Sequence, residues 1–170
     1  MRCYLLRHAE AVPHGTAGSR QDAQRPLTAA GHEQARAVAE ALKRLQIPVD
    51  AVAASPLVRA AQTAAHVARA FGLEHAVQEL EALRPDADPA DSSQALRELT
   101  AHGHVVLAGH EPHLSAWLAW LVAGTGGMRC EMKKGGAACV ELDRIPPPPG
   151  SGTLRWLMTP KQLALIGKIP

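Results

Sequence analysis

Short runs of Val, Leu and Ala bounded by turn residues alternate along this chain with longer segments whose apolar positions recur every three or four residues. That alternation predicts an α/β layered domain with a largely parallel sheet. Arg2 to Leu6 reads as a first buried strand. After a polar loop rich in Gly, Pro and charge, Thr28 is placed to cap a helix to about Leu45, with Ala35, Val38, Leu42 and Leu45 on one face. Val49 to Ala54 predicts a second strand. Ser55-Pro56 predicts a helix start, Ser as N-cap and Pro in the first helical position. The helix that follows aligns Leu57, Ala61, Ala64, Ala68 and Phe71 and stops at Gly72.

Residues Glu74 to Asp91 are less regular, with a short strand near Val77 and a Pro/Asp loop, before a helix from about Ser92 to Thr100. His104 to Ala108 is the next buried strand. Gly109-His110-Glu111-Pro112 repeats the order of strand, tight turn and helix start, and Leu114, Trp117, Leu118 and Leu121 form the stripe of the helix beyond it. Ala137 to Leu142 and Thr153 to Met158 predict a closing antiparallel pair, joined by a stiff proline run that suits a surface connection. No internal repeat is visible, and residues 1–170 read as one domain.

Composition narrows the function classes. The 170 residues carry 18 Lys plus Arg against 16 Asp plus Glu, a net +2, and 46% are apolar, which excludes a wholly disordered chain. Aromatic residues are 3% and the charges are mixed along the chain, so a dedicated nucleic-acid binder is not expected. Cys3, Cys130 and Cys139 are odd in number and lack metal-ligand spacing; they read as reduced thiols of a cytoplasmic protein. No secretory segment is expected, because Arg7 and His8 interrupt the apolar start. The longest apolar stretch, Leu114 to Gly124, is roughly half the ~20 residues of a membrane span, so no membrane association is expected. Nine histidines are the unusual count.

Three strand-to-helix junctions carry related residues: Arg7-His8, Arg59, and His110. Ligands of open α/β sheets bind outside the carboxyl ends of the strands, so these junctions are expected to converge. Two guanidinium groups, two imidazoles and helix N-termini facing one volume favour an anion, and the arginine fork matches phosphate. Leu6-Arg7-His8-Ala9-Glu10, Arg25-Pro26-Leu27-Thr28 with Gly31 and Gln34-Ala35, Ser55-Pro56-Leu57-Val58-Arg59-Ala60-Ala61-Gln62-Thr63-Ala64, and Gly109-His110 together resemble the histidine phosphatase superfamily, also called phosphoglycerate mutase-like. They are most similar to its phosphohistidine phosphatase branch, of the SixA type. The resemblance implies a three-layer α/β/α fold with a mostly parallel central sheet and an antiparallel C-terminal strand. It also implies His8 as nucleophile, forming a covalent phosphohistidine that water hydrolyses, with Arg7, Arg59 and, if protonated in that anionic site, His110 holding the phosphoryl oxygens. The family's Arg-His-Gly is Arg7-His8-Ala9 here. Ala fits if residue 9 does not need the positive φ that glycine permits.

With this much fixed positive charge the site is expected to need no cofactor and no divalent metal. His102, His104, His110 and His113 invite a metal reading, yet His110-Glu111-Pro112-His113 lacks the spacing of a zinc-binding helix. A general acid is harder to identify: Glu10, Glu79, Glu81, Asp86 and Asp88 are candidates without a convincing match. The phosphohistidine branch resembles a group lacking that acid, and an imidazole leaving group can be protonated on its distal nitrogen near neutral pH, whereas an alkoxide needs a proton supplied. The expected substrate is therefore a phosphohistidine domain of a phosphorelay-type protein, with a small phosphate ester or a catalytically weak phospho-ligand binder as alternatives. Arg25 is a candidate substrate contact at the rim, and equally a loop residue held before the Thr28 cap. Lys133 and Lys134 read as a solvated turn, with added positive potential for an acidic or phosphorylated partner as the alternative. His14, His32, His66 and His75 read as surface or partly packed, the three tryptophans as core or near-core, and the oligomeric state is left open.

Overall fold

The computed structural model describes residues 1–15, 21–124 and 127–168, so part of the polar loop after the first strand lies outside the described residues. Six strands form one sheet: β1 (Arg2–Arg7), β2 (Ala51–Ala54), β3 (Val77–Glu79), β4 (His104–Gly109), β5 (Ala137–Glu141) and β6 (Thr153–Met158). Their spatial order is β3-β2-β4-β1-β5-β6. The β1–β4, β2–β4 and β2–β3 pairs are parallel, while β5 runs antiparallel to both β1 and β6. The helices are α1 (Ala29–Arg44), α2 (Val58–Phe71), α3 (Pro89–Ala95), α4 (His113–Ala123) and α5 (Pro160–Lys168).

Strand alternation divides the core into two layers. Leu5, Ala53, Leu107, Ala138 and Val140 face α4, packing against Leu114, Trp117, Leu118 and Leu121. Leu6, Ala54, Val106, Ala108 and Cys139 point the other way, onto Val38 and Leu42 of α1, Ala64, Val67 and Ala68 of α2, and Leu163 of α5. Helices thus cover both faces, the expected α/β/α layering around a mostly parallel sheet. No helix among the described residues is long and apolar enough to cross a membrane.

Several boundaries differ from the sequence pattern. Thr28 does cap α1, its hydroxyl accepting from Gly31 N at 2.9 Å. Ser55-Pro56 does not begin α2: Leu57 is the N-cap residue and the helix starts at Val58, while the Ser55 hydroxyl oxygen accepts from Leu57 N at 3.4 Å and lies 2.9 Å from His110 Nε2. The helix expected from Ser92 starts earlier, at Pro89, where the Asp88 carboxylate accepts from Ala90 N, and it tightens into a 3₁₀ turn over Leu96–Leu99. The pattern did not indicate α5.

Gly31 fixes how the loop after β1 meets α1. A Cβ there would lie 1.9 Å from the Glu10 carbonyl oxygen, which itself accepts from Thr28 N at 3.0 Å. Gly31→Ala is therefore expected to destabilise the fold by about 2 kcal/mol or more, the overpacking range for a contact with backbone. A thermal melt checks this, and an unshifted Tm would show that the loop yields freely.

Candidate active site

The parallel register places three loop starts side by side. Arg7 pairs with Gly109 across β1 and β4, His8 N donates to Gly109 O at 3.0 Å, and Ser55 N donates to Ala108 O at 2.9 Å. Arg7, His8, Ser55, Arg59 and His110 consequently lie at one end of the sheet. His8 and His110 are buried, with ring centroids 5.0 Å apart. Arg59 is also buried, an unusual setting for a guanidinium that its hydrogen bonds offset.

The tautomer of His8 follows from its neighbours. Its Nδ1 lies 2.7 Å from the Ala9 carbonyl oxygen, which can only accept, so Nδ1 carries the proton. Its Nε2 lies 3.2 Å from Arg59 Nε, which can only donate, so Nε2 presents a lone pair. Burial holds the His8 pKa down at about 4; the Ala9 hydrogen bond opposes this, and the charges of Arg59, Arg7 and Lys134 add to it. The ring is thus neutral at pH 7 and nucleophilic at Nε2. Ala9, fully buried, does not have a positive φ; among the described residues Gln46 is the non-glycine residue that does. The condition for alanine in place of glycine is met, and Ala9 N is anchored to Thr63 Oγ1 at 3.1 Å.

The sequence reading makes His110 a cationic donor only if it is protonated, and its surroundings favour the neutral ring. Burial, then the nearby His8 and Arg59 charges, push its pKa down to about 3. It can still donate: when the Ser55 hydroxyl donates to Nε2, the ring proton resides on Nδ1. That nitrogen is buried without a hydrogen-bond partner, as is Arg7 Nε. Two buried donors without acceptors cost about 1–3 kcal/mol each, a deficit that phosphoryl oxygens would relieve. In an imidazole titration followed by NMR, His8 and His110 are expected to stay neutral down to about pH 4 and 3, far below the ordinary 6.5. Since both are depressed, their neutral-state stabilisation is complete above 6.5 and is lost as pH falls through those values. A midpoint near 6.5 for either ring would contradict this electrostatic description.

Arg7 NH1 donates to Met132 O at 2.7 Å. Met132 N in turn donates to Glu111 Oε1 at 3.2 Å, so the residue after His110 helps hold the segment that positions Arg7. Arg59 spends its remaining nitrogens on Asp22, NH1 donating to the carbonyl at 2.8 Å and NH2 to Oδ2 at 3.0 Å. Burial would raise the Asp22 pKa, but Arg25 and Arg59 outweigh it and hold the carboxyl below its ordinary value. Arg25 meets Asp22 Oδ1 and donates to Val12 O at 2.8 Å. These bonds fit the loop reading of Arg25: it secures the segment before Thr28 and reaches Arg59 through Asp22.

Asp22 was not anticipated. It lies 37 residues from Arg59, and a charged residue in a polar loop carries no distinguishing signal. Thr63 was more accessible to inference, one helical turn beyond Arg59, whose carbonyl accepts from its hydroxyl at 2.7 Å. The five carboxylates considered as acids are engaged or exposed elsewhere. Glu10 accepts from Thr28 Oγ1 at 3.0 Å, Glu81 and Asp86 pair with Arg84 at 3.4 and 3.8 Å, Asp88 caps α3, and Glu79 is exposed on β3. Among the described residues, none of the five bonds Arg7, His8, Arg59 or His110. Among the described residues, no group of three or more His, Cys, Asp or Glu is placed to hold a metal ion. His104 and His113 bond Tyr4 Oη and Ser92 Oγ at 2.9 and 2.8 Å.

Comparison with known proteins shows the family. Residues 3–85 match the histidine phosphatase superfamily (branch 1). The phosphohistidine phosphatase SixA of Escherichia coli K12 is 30% identical over 172 residues, spanning 99% of this chain and 100% of that one. A solved structure of the protein histidine phosphatase SixA with tungstate superposes with a TM-score of 0.82 at 29% identity, covering 96% of this chain and 99% of that chain. An α-ribazole phosphatase from Shigella flexneri shares the fold, with a TM-score of 0.69 at 20% identity over 94% of this chain and 97% of that chain. The chain belongs to the histidine phosphatase superfamily and is a phosphatase.

Proposed function

We propose that this phosphatase removes the phosphoryl group from phosphohistidine in a phosphorelay-type protein, through a covalent intermediate on His8. The Nε2 lone pair attacks phosphorus in line, forming a P–N bond as the substrate P–N bond breaks and its electron pair returns to the departing imidazole. A proton on the distal nitrogen of that imidazole makes it a neutral leaving group. Arg7 and Arg59 balance charge on the equatorial oxygens, and the neutral His110 donates from Nδ1. Water then attacks the phosphorylated His8, releasing inorganic phosphate and returning the neutral ring. No step passes through a metal or cofactor.

The observation that carries the substrate reading is the engagement of the nearby carboxylates. The acid candidates are bonded elsewhere or exposed, and Asp22 is held ionised between two arginines. With none of the candidate acids among the described residues bonded to Arg7, His8, Arg59 or His110, a P–N bond to imidazole is easier to cleave than a sugar phosphate. The similarity to the E. coli phosphohistidine phosphatase supports the same substrate class. Rates measured side by side in excess chelator on a histidine-phosphorylated phosphotransfer domain, an aryl phosphate and several sugar phosphates test it. Preference for the phosphohistidine domain, with aryl phosphate second, is expected; sugar phosphates ahead by orders of magnitude would overturn it.

A further inference from the structure

A groove of about 560 Å³ opens directly beside Arg7, lined by Lys133, Lys134, Thr159, Pro160 and Lys161. The groove shares Pro160 and Lys161 with a second hollow of about 480 Å³ that reaches Lys168 and Glu33. Its basic side chains come from the turn before β5 and the first turn of α5, an element the sequence pattern did not indicate.

The Lys133-Lys134 turn is fastened to the nucleophile's own backbone. Gly135 N donates to Arg7 O and His8 O, each at 3.1 Å, Arg7 N donates to Gly136 O at 3.0 Å, and Gln34 Nε2 donates to Lys134 O at 2.9 Å. Gln34 Oε1 accepts in turn from Glu10 N at 3.0 Å. The lysines are thus held in register with His8, unlike those of a free solvated turn. Acidic neighbours neutralise only part of the charge: Glu131 pairs with Lys133, and Glu33 with Arg36. Among the described residues, Lys134 and Lys161 have no ion pair. Arg7 lines the groove and also lies at the sheet end that carries His8, which sets the groove beside the candidate phosphoryl site.

We infer that this groove docks an acidic surface next to the phosphohistidine of a protein substrate. The inference rests on the phosphohistidine reading above and adds the recognition surface. Two features favour an acidic protein surface over a second phosphate on a small substrate. The groove and the adjoining hollow together set basic side chains over a span wider than one phosphate, from Lys133 and Lys134 to Lys161 and Lys168. Its charges are lysine ammonium groups, hydrated point charges on flexible stems that suit carboxylates spread over a surface, whereas bidentate phosphate recognition favours arginine.

Lys161→Gln, Lys161→Glu and the double variant Lys133→Gln/Lys161→Gln separate these contributions. Activity is measured on a histidine-phosphorylated phosphotransfer domain with an acidic surface and on free phosphohistidine, which has the same scissile bond and no protein surface. The double variant and Lys161→Glu are expected to lower kcat/KM on the domain by about tenfold, chiefly through KM, with a weaker dependence on ionic strength. Turnover of free phosphohistidine and the melting temperature stay as in the wild type. Equal rates of wild type and variants on the domain overturn the groove assignment and leave the substrate reading intact. Equal losses on both substrates also overturn it, because the lysines would then act on the phosphoryl site. A wild-type enzyme inactive on both phosphohistidine substrates but active on an aryl phosphate overturns the substrate reading and this inference together.

Discussion

His8→Ala is expected to lower kcat by at least about 10⁴-fold on every substrate, since loss of a nucleophile leaves only the binding and electrostatic contributions of the site. The bonds around His8 suit it to that proposed role: Nδ1 is held by Ala9 O and Nε2 faces Arg59 Nε. The fold should survive the change. The ring is buried and hydrogen-bonded, but the sheet edge that carries it is fixed by backbone bonds from His8 N to Gly109 O and from Gly135 N to His8 O. Folded protein with unchanged turnover would remove His8 from the chemistry. A variant that loses turnover and also fails to melt cooperatively would be replaced by His8→Asn, which keeps a polar group near Ala9 O.

The second large effect is expected at Arg59. Arg59→Lys preserves charge yet cannot reproduce the fork, whose Nε, NH1 and NH2 reach His8 Nε2, Asp22 O and Asp22 Oδ2 at 3.2, 2.8 and 3.0 Å. One ammonium cannot serve these three acceptors or two phosphoryl oxygens in parallel. A fall in kcat/KM of about 10²- to 10³-fold is expected, the scale for loss of an oriented donor to transition-state charge. Arg59→Lys retaining activity within a few-fold would show that only net charge matters here. Steady-state kinetics with an aryl phosphate, whose leaving group needs little help, isolates this effect from substrate recognition.

The legible parts of this molecule are those set by local pattern. Thr28 and the alternation of Ala35, Val38 and Leu42 define α1, and the apolar runs before Arg7, Ser55 and His110 define the parallel strands whose ends carry the site. The convergence of Arg7, His8, Arg59 and His110 follows from strand order, so it was available once a parallel sheet was inferred. Other features depend on distant partners. Ser55 would cap α2 by sequence alone, but the helix starts only at Val58, and the contact of the Ser55 hydroxyl with His110, 55 residues away, is set by the sheet. The nine residues of α5 are too few to form a stable helix in isolation. They bury Leu163 and dock closely on α1, where a Cβ at Gly167 would come within 2.8 Å of Ala37 O. Asp22 acquires its place from two arginines and a fold that brings them together. The neutral state of His110 was likewise not legible in the sequence, because it is set by burial at the carboxyl end of β4 and then by the charges of His8 and Arg59.

The most direct test of the proposed chemistry is where the phosphoryl group resides during turnover. Enzyme mixed with a histidine-phosphorylated domain under single-turnover conditions is quenched into alkali, which preserves phosphohistidine, and mapped by mass spectrometry. Phosphorylation on His8, formed and lost at rates compatible with turnover and absent in His8→Ala, is the expected result. Hydrolysis proceeding with the phosphoryl group on another residue, or with no phosphoenzyme at any quench time, would contradict it.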